Sequence, residues 1–120
     1  MDHPVVFVID DDESICRSLR RLLKSAGFYV RTFISGGDFL NQGCQNMNGC
    51  ILLDVRMPQV SGLELQQRLN DSGCKMPIIF MSAHQDAETR EKALSAGAIA
   101  FLQKPFEDQL LLETIRSVLK

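Results

Sequence analysis

Six side chains of this 120-residue chain have the types to act together: Asp10, Asp11, Asp12, Asp54, Ser82 and Lys104. Each stands at or just past the end of a short apolar run. The aspartate triplet follows residues 5–9, Asp54 lies near the end of 50–55, Ser82 follows 77–81, and Lys104-Pro105 follows 99–102. Carboxylates brought together repel, by roughly 3 kcal/mol for a pair about 5 Å apart at an effective dielectric of 20. A hard divalent cation such as Mg²⁺, with its preference for oxygen ligands, offsets that repulsion, and a lysine adds a second positive charge. Such a group could make one carboxylate a nucleophile toward a phosphoryl group. Simpler roles compete at each position. Asp11 or Asp12 could serve only as a helix N-cap, and a serine at a strand end commonly caps the next turn. Asp54 is different, because a charge inside an apolar strand needs a partner or solvent.

The runs 5–9, 28–34, 50–55, 77–81 and 99–102 are too short for stable helices and rich in Val, Ile and Phe, so they read as strands. Helical spacing fills the gaps. Ile15, Leu19, Leu22, Leu23 and Ala26 form one face ending at Gly27, and Leu111, Ile115, Val118 and Leu119 form another. Between them, Ser35-Gly-Gly-Asp38 resembles a capping box, Leu65 and Leu69 mark a third helix, and 87–96 a fourth closed by Gly97. Strand–helix alternation predicts an α/β fold with a parallel sheet, and apolar strands without alternation predict helices on both faces. Right-handed crossovers would bring all the strand carboxyl ends to one edge, where open α/β sheets bind ligands. A strand order 2-1-3-4-5 would make Asp10, Asp11 and Asp54 neighbours.

Composition narrows the classes. Hydrophobic residues at 45% suffice for one core without staples. A net charge of −2 argues against direct nucleic-acid binding. No apolar run approaches the roughly 20 residues of a membrane span, and no secretion signal precedes the triplet, so a soluble, cytoplasmic chain is expected. Cys16, Cys44, Cys50 and Cys74 lack zinc-ligand spacing and are expected to be reduced. Asn70-Asp71-Ser72 matches a glycosylation sequon by chance. Two enzyme classes fit poorly. A flavodoxin-type electron carrier would meet repulsion between the triplet and its flavin phosphate, and a haloacid-dehalogenase-type phosphatase needs a second carboxylate where Arg56 stands.

Val8-Ile-Asp10-Asp11, Leu52-Leu-Asp54-Val-Arg-Met-Pro58 with Ser61-Gly62, Met81-Ser82-Ala and Phe101-Leu-Gln-Lys104-Pro105-Phe106 together resemble the receiver domains of two-component response regulators. The resemblance spans the chain, in family order and spacing. It implies a single three-layer, flavodoxin-like (CheY-like) domain over residues 1–120, with five parallel strands in the order 2-1-3-4-5 and helices on both faces. By that resemblance Asp54 is the phosphoacceptor for a sensor histidine kinase. Mg²⁺ is held by Asp11 directly, by Asp10 largely through water, by Asp54 and by the Arg56 backbone carbonyl. Lys104 pairs with phosphoryl oxygens, the Ser82 hydroxyl moves to bond them, and Phe101 turns inward in response. Lys104-Pro105 is expected to be cis. Arg56 and His84, each two residues beyond a site residue, are candidates for controlling how long the phosphoryl group survives. For His84, an idle loop position is the equal alternative.

The stretch from Arg56 to Glu64 and the segment Lys104-Pro-Phe-Glu-Asp108 look most like regulators of the FixJ/NarL type. That implies a C-terminal helix-turn-helix output domain, absent from these 120 residues, and a homodimer formed on phosphorylation. The switching surface would be the fourth helix, fifth strand and fifth helix. Such a domain is no enzyme beyond its own phosphoryl transfer and dephosphorylation. The alternatives are a stand-alone receiver, or a degenerate one that binds a partner without being phosphorylated.

Overall fold

Five strands, β1 (Val5–Ile9), β2 (Tyr29–Phe33), β3 (Gly49–Asp54), β4 (Ile78–Ser82) and β5 (Ala100–Gln103), pair in parallel in the order β2-β1-β3-β4-β5. The computed structural model describes residues 3–43, 47–84 and 87–119. Helices α1 (Glu13–Ser25), α2 (Gly36–Gln42), α3 (Gly62–Asp71), α4 (Ala87–Ser95) and α5 (Asp108–Val118) connect and follow the strands. The fold is the flavodoxin-like one expected, with strand limits within a residue or two of the apolar runs.

Side chains alternate across the sheet, as the strand period requires. Phe7, Ile9, Ile51, Leu53 and Phe80 pack with Phe39 of α2, Leu65 and Leu69 of α3 and Ala93 of α4. Val6, Val8, Cys50, Leu52, Ile79 and Met81 pack with Cys16, Leu19 and Leu23 of α1 and Leu111 and Ile115 of α5. Both faces being covered explains why these strands read as unbroken apolar runs. Among the described residues no helix is long and apolar enough to cross a membrane.

Two helix starts are capped by side chains singled out in the sequence. The Asp12 carboxylate accepts from the Ser14 and Ile15 amides at 2.9 and 3.3 Å, so the third aspartate of the triplet is the N-cap of α1. Ser35 caps α2 by accepting from the Asp38 amide at 3.1 Å.

One sulfur expectation needs correction. Cys16 and Cys50 are free, buried thiols, and burial pushes the Cys50 thiol up to about 12. Cys74 is disulfide-bonded, not the reduced small hydrophobe expected of it. Pairing requires Cα atoms within about 4.4–6.8 Å, which spacing along a chain does not reveal. Cys44 lies outside the described residues.

Candidate functional site

The parallel sheet brings the carboxyl ends of β1, β3, β4 and β5 to one edge. There Asp10, Asp11, Asp12, Ile15, Asp54, Arg56, Ser82, Ala83, His84 and Lys104 line one depression of about 220 Å³. Register accounts for the meeting. Ile9 is opposite Leu53, Asp54 is opposite Met81, and Ser82 is opposite Gln103, so Asp10 and Asp54 come level, with Ser82 one residue beyond them and Lys104 one beyond Ser82. Asp10, Asp54 and Ser82 are buried, at 1%, 7% and 2% exposure. Asp11, Arg56 and His84 are exposed on its rim. All the residues singled out in the sequence for chemistry therefore converge, except Phe101. That ring is half-buried on β5, tilted against Phe80 with centroids 6.1 Å apart.

Lys104 organises the charges. Its ammonium donates to Asp10 Oδ2 at 2.8 Å and to Asp54 Oδ1 at 3.3 Å. Burial works against the Lys104 charge, but the hydrogen bond and charge of Asp10, with those of Asp54, prevail and hold its pKa above the ordinary value. For Asp54 the balance disfavours the charged form. Desolvation by burial first, and the Asp10 charge second, raise its pKa to about 6, with Lys104 opposing. The shorter contact to Asp10 explains why Lys104 compensates Asp54 only in part. The Lys104-Pro105 bond that leads away from this site is cis, as expected.

One carboxylate oxygen from each of Asp10, Asp11 and Asp54 lies within 4.8 Å of the others. An all-oxygen, carboxylate-rich set with one exposed member suits a hard divalent cation that keeps part of its water. Asp12 is excluded from this group by its work as a cap. The Ser82 hydroxyl donates to the His84 carbonyl at 3.0 Å and accepts the His84 amide at 3.1 Å. Its capping role and its position in the depression are therefore both real.

Three features escaped the sequence reading. The Cys16 thiol donates to the Asp10 carbonyl at 3.3 Å, beneath the acidic pair. Its burial was legible from the spacing Cys16, Leu19, Leu23, but its partner was not. Gly62 packs against the end of β3: its amide donates to the Val55 carbonyl at 2.8 Å. A Cβ there would run into the Asp54 carbonyl oxygen and lie 2.9 Å from Val55 Cα. Between them, the Val60 amide donates to the Pro58 carbonyl at 2.8 Å, closing a three-residue turn around Gln59, whose φ is 69°. Such turns are strained for residues other than glycine and tend to sit at functional loops.

Comparison with known proteins agrees with this arrangement. The model of the response regulator receiver domain matches residues 6–116. The transcriptional regulatory protein TdiR of Thauera aromatica is 49% identical over 114 residues, 95% of this chain and 50% of TdiR. The chain thus spans about half the length of that relative. The structure of the response regulator StyR superposes with a TM-score of 0.92 at 47% identity, covering 98% of this chain and 60% of StyR. The crystal structure of FixJ-N gives 0.90 at 36% identity, covering 98% of this chain and 94% of that one. With the match running through every strand and every residue of the acidic edge, the chain belongs to the receiver domain family of response regulators.

Proposed function

We propose that Asp54 accepts a phosphoryl group from a phosphohistidine of a sensor histidine kinase. The observation that carries this is the Lys104 ammonium set between Asp10 and Asp54 at 2.8 and 3.3 Å on the floor of the depression. An Asp54 carboxylate oxygen forms the new bond to phosphorus as the histidine N–P bond breaks, and the imidazole nitrogen keeps that electron pair. Asp10, Asp11, Asp54 and the Arg56 backbone carbonyl would hold Mg²⁺, which when bound neutralises charge on the transferring phosphoryl oxygens. Lys104 then pairs with those oxygens, and the Ser82 hydroxyl exchanges its His84 partners for one of them. Phe101 follows into the space vacated. Because phenylalanine has no hydroxyl to anchor, packing alone biases that movement.

The chain turns over no separate substrate in this reading. Exposed Leu94, Ile99 and Leu110 lie on α4, before β5 and on α5, the surface through which phosphorylation would promote a homodimer and control a C-terminal helix-turn-helix output domain. The protein would be the N-terminal, cytoplasmic part of a transcription regulator. The resemblance to the transcriptional regulatory protein TdiR, half of whose length this chain covers, supports the transcription role.

Incubation with acetyl phosphate and Mg²⁺ is expected to add one phosphoryl mass to the intact protein, labile to hydroxylamine. Asp54→Asn and chelation should each abolish it. Absence of any adduct, also from a phosphorylated kinase, would favour a phosphorylation-independent binding module. A second expectation concerns the rim. Replacing Arg56 and His84 together by Ala should change the decay rate of that adduct several-fold, because both flank the path of attacking water. An unchanged rate would leave them as ordinary loop residues.

A further inference from the structure

Helix α4 is attached to the domain in a different way from its neighbours. Among the described residues Ala93 is its one buried side chain, whereas α1 buries Cys16, Leu19 and Leu23 and α3 buries Gly62, Leu65, Gln66 and Leu69. A single alanine methyl is a small apolar anchor for nine ordered residues. Polar contacts supply what the apolar face lacks. Gln66 Nε2 donates to the Ala93 carbonyl at 2.9 Å, and Asn70 Nδ2 donates to the Ala96 carbonyl at 3.0 Å. The two amides stand one turn apart on one face of α3 and donate to carbonyls at the end of α4.

Gln66 stands out on burial as well. Of the four buried polar side chains among the described residues, Asp10, Asp54 and Ser82 belong to the acidic depression, and Gln66 is the fourth. At its other end α3 is seated directly on the acidic site, through the Gly62 amide on the Val55 carbonyl and the contact of Gly62 with the Asp54 backbone. One rigid helix therefore touches the phosphoacceptor strand at its start and holds α4 from its middle and end.

We propose that Gln66 and Asn70 form a two-amide latch by which α3, and not the apolar face of α4, sets the position of α4. Opening the latch frees α4 locally while the two cores on either side of the sheet stay packed. The inference does not depend on phosphorylation, and its test uses the unmodified, metal-free protein.

The measurement is native-state amide hydrogen exchange on wild type, Asn70→Ala and Gln66→Met/Asn70→Ala. The Met side chain keeps the volume of Gln66, and the Ala93 carbonyl retains its bond from the Ala98 amide at 3.0 Å, so no buried acceptor is orphaned. Asn70 is exposed, which keeps its single variant folded should the double variant fail. Asn70→Ala is expected to speed exchange of the Ala96–Ala98 amides by about five-fold, and the double variant to speed the whole of α4 by more than about ten-fold. Exchange in α1 and α5 should stay at the wild-type rate in both. Wild-type protection of α4 in the variants would overturn the latch. So would an equal rise in all five helices, which would mark general destabilisation.

Discussion

Replacing Asp54 with Asn is expected to stabilise the metal-free protein at pH 7 by about 2–3 kcal/mol, or on the order of 10 °C in melting temperature. The cause is the buried, incompletely compensated carboxylate, whose pKa stands at about 6 against an ordinary 3.8. The folded state holds this proton more tightly than the unfolded chain does. The protonated form therefore favours folding, and that contribution is lost as pH rises from about 4 through about 6. Asn removes the charge, keeps the shape, and leaves Lys104 paired with Asp10 at 2.8 Å. The difference in melting temperature between Asp54→Asn and wild type, both in chelator, should be small near pH 4 and reach its full size above pH 7. A difference that does not vary with pH would mean that Asp54 carries no such penalty. Added Mg²⁺ should raise wild type toward the variant, since a bound cation relieves the same repulsion.

Gly62→Ala is expected to cost about 3 kcal/mol or more and to abolish phosphoryl transfer in whatever folded fraction remains. The new methyl would collide with the Asp54 carbonyl and press on Val55 Cα at 2.9 Å and Phe80 Cε1 at 3.0 Å. Two of those three obstacles are backbone, which cannot rotate away. Relief comes only by lifting α3 off β3, which breaks the Gly62–Val55 hydrogen bond and moves Asp54 relative to Lys104. Gly37→Ala is the control. Its added carbon meets only Ser35 Oγ, at 3.9 Å, and inside a helix alanine is favoured over glycine by about 1 kcal/mol. Urea unfolding of the two variants should separate them widely and in opposite directions from wild type. Equal midpoints would show that α3 does not bear on the strand end as described.

Much of the site is legible in the sequence because its residues occupy strand ends, and strand ends follow from apolar runs. Asp10, Asp54, Ser82 and Lys104 could be placed at one edge from strand parallelism alone. Mg²⁺ binding and the roles of Arg56 and His84 rest on the family resemblance and on the experiments above, and that of Phe101 on the resemblance. Less was legible where the deciding contact is long-range or made by backbone. Nothing along the chain says that the Gln66 amide lies beneath a carbonyl 27 residues away. Asn70 was noticed only as part of a chance sequon. The disulfide at Cys74 was misjudged for the same reason.

The amino-acid order by itself determined the parallel sheet, the edge at which chemistry gathers and the identity of the residues there. Apolar runs and helical spacing are local properties, and local properties survive in a string of letters. Tertiary structure decided which aspartate caps a helix and which face the basin, that Lys104 leans to Asp10 more than to Asp54, and that burial lifts the Asp54 pKa to about 6. Those outcomes depend on distances of a few tenths of an ångström and on exclusion of water, and both exist only once the chain has closed on itself.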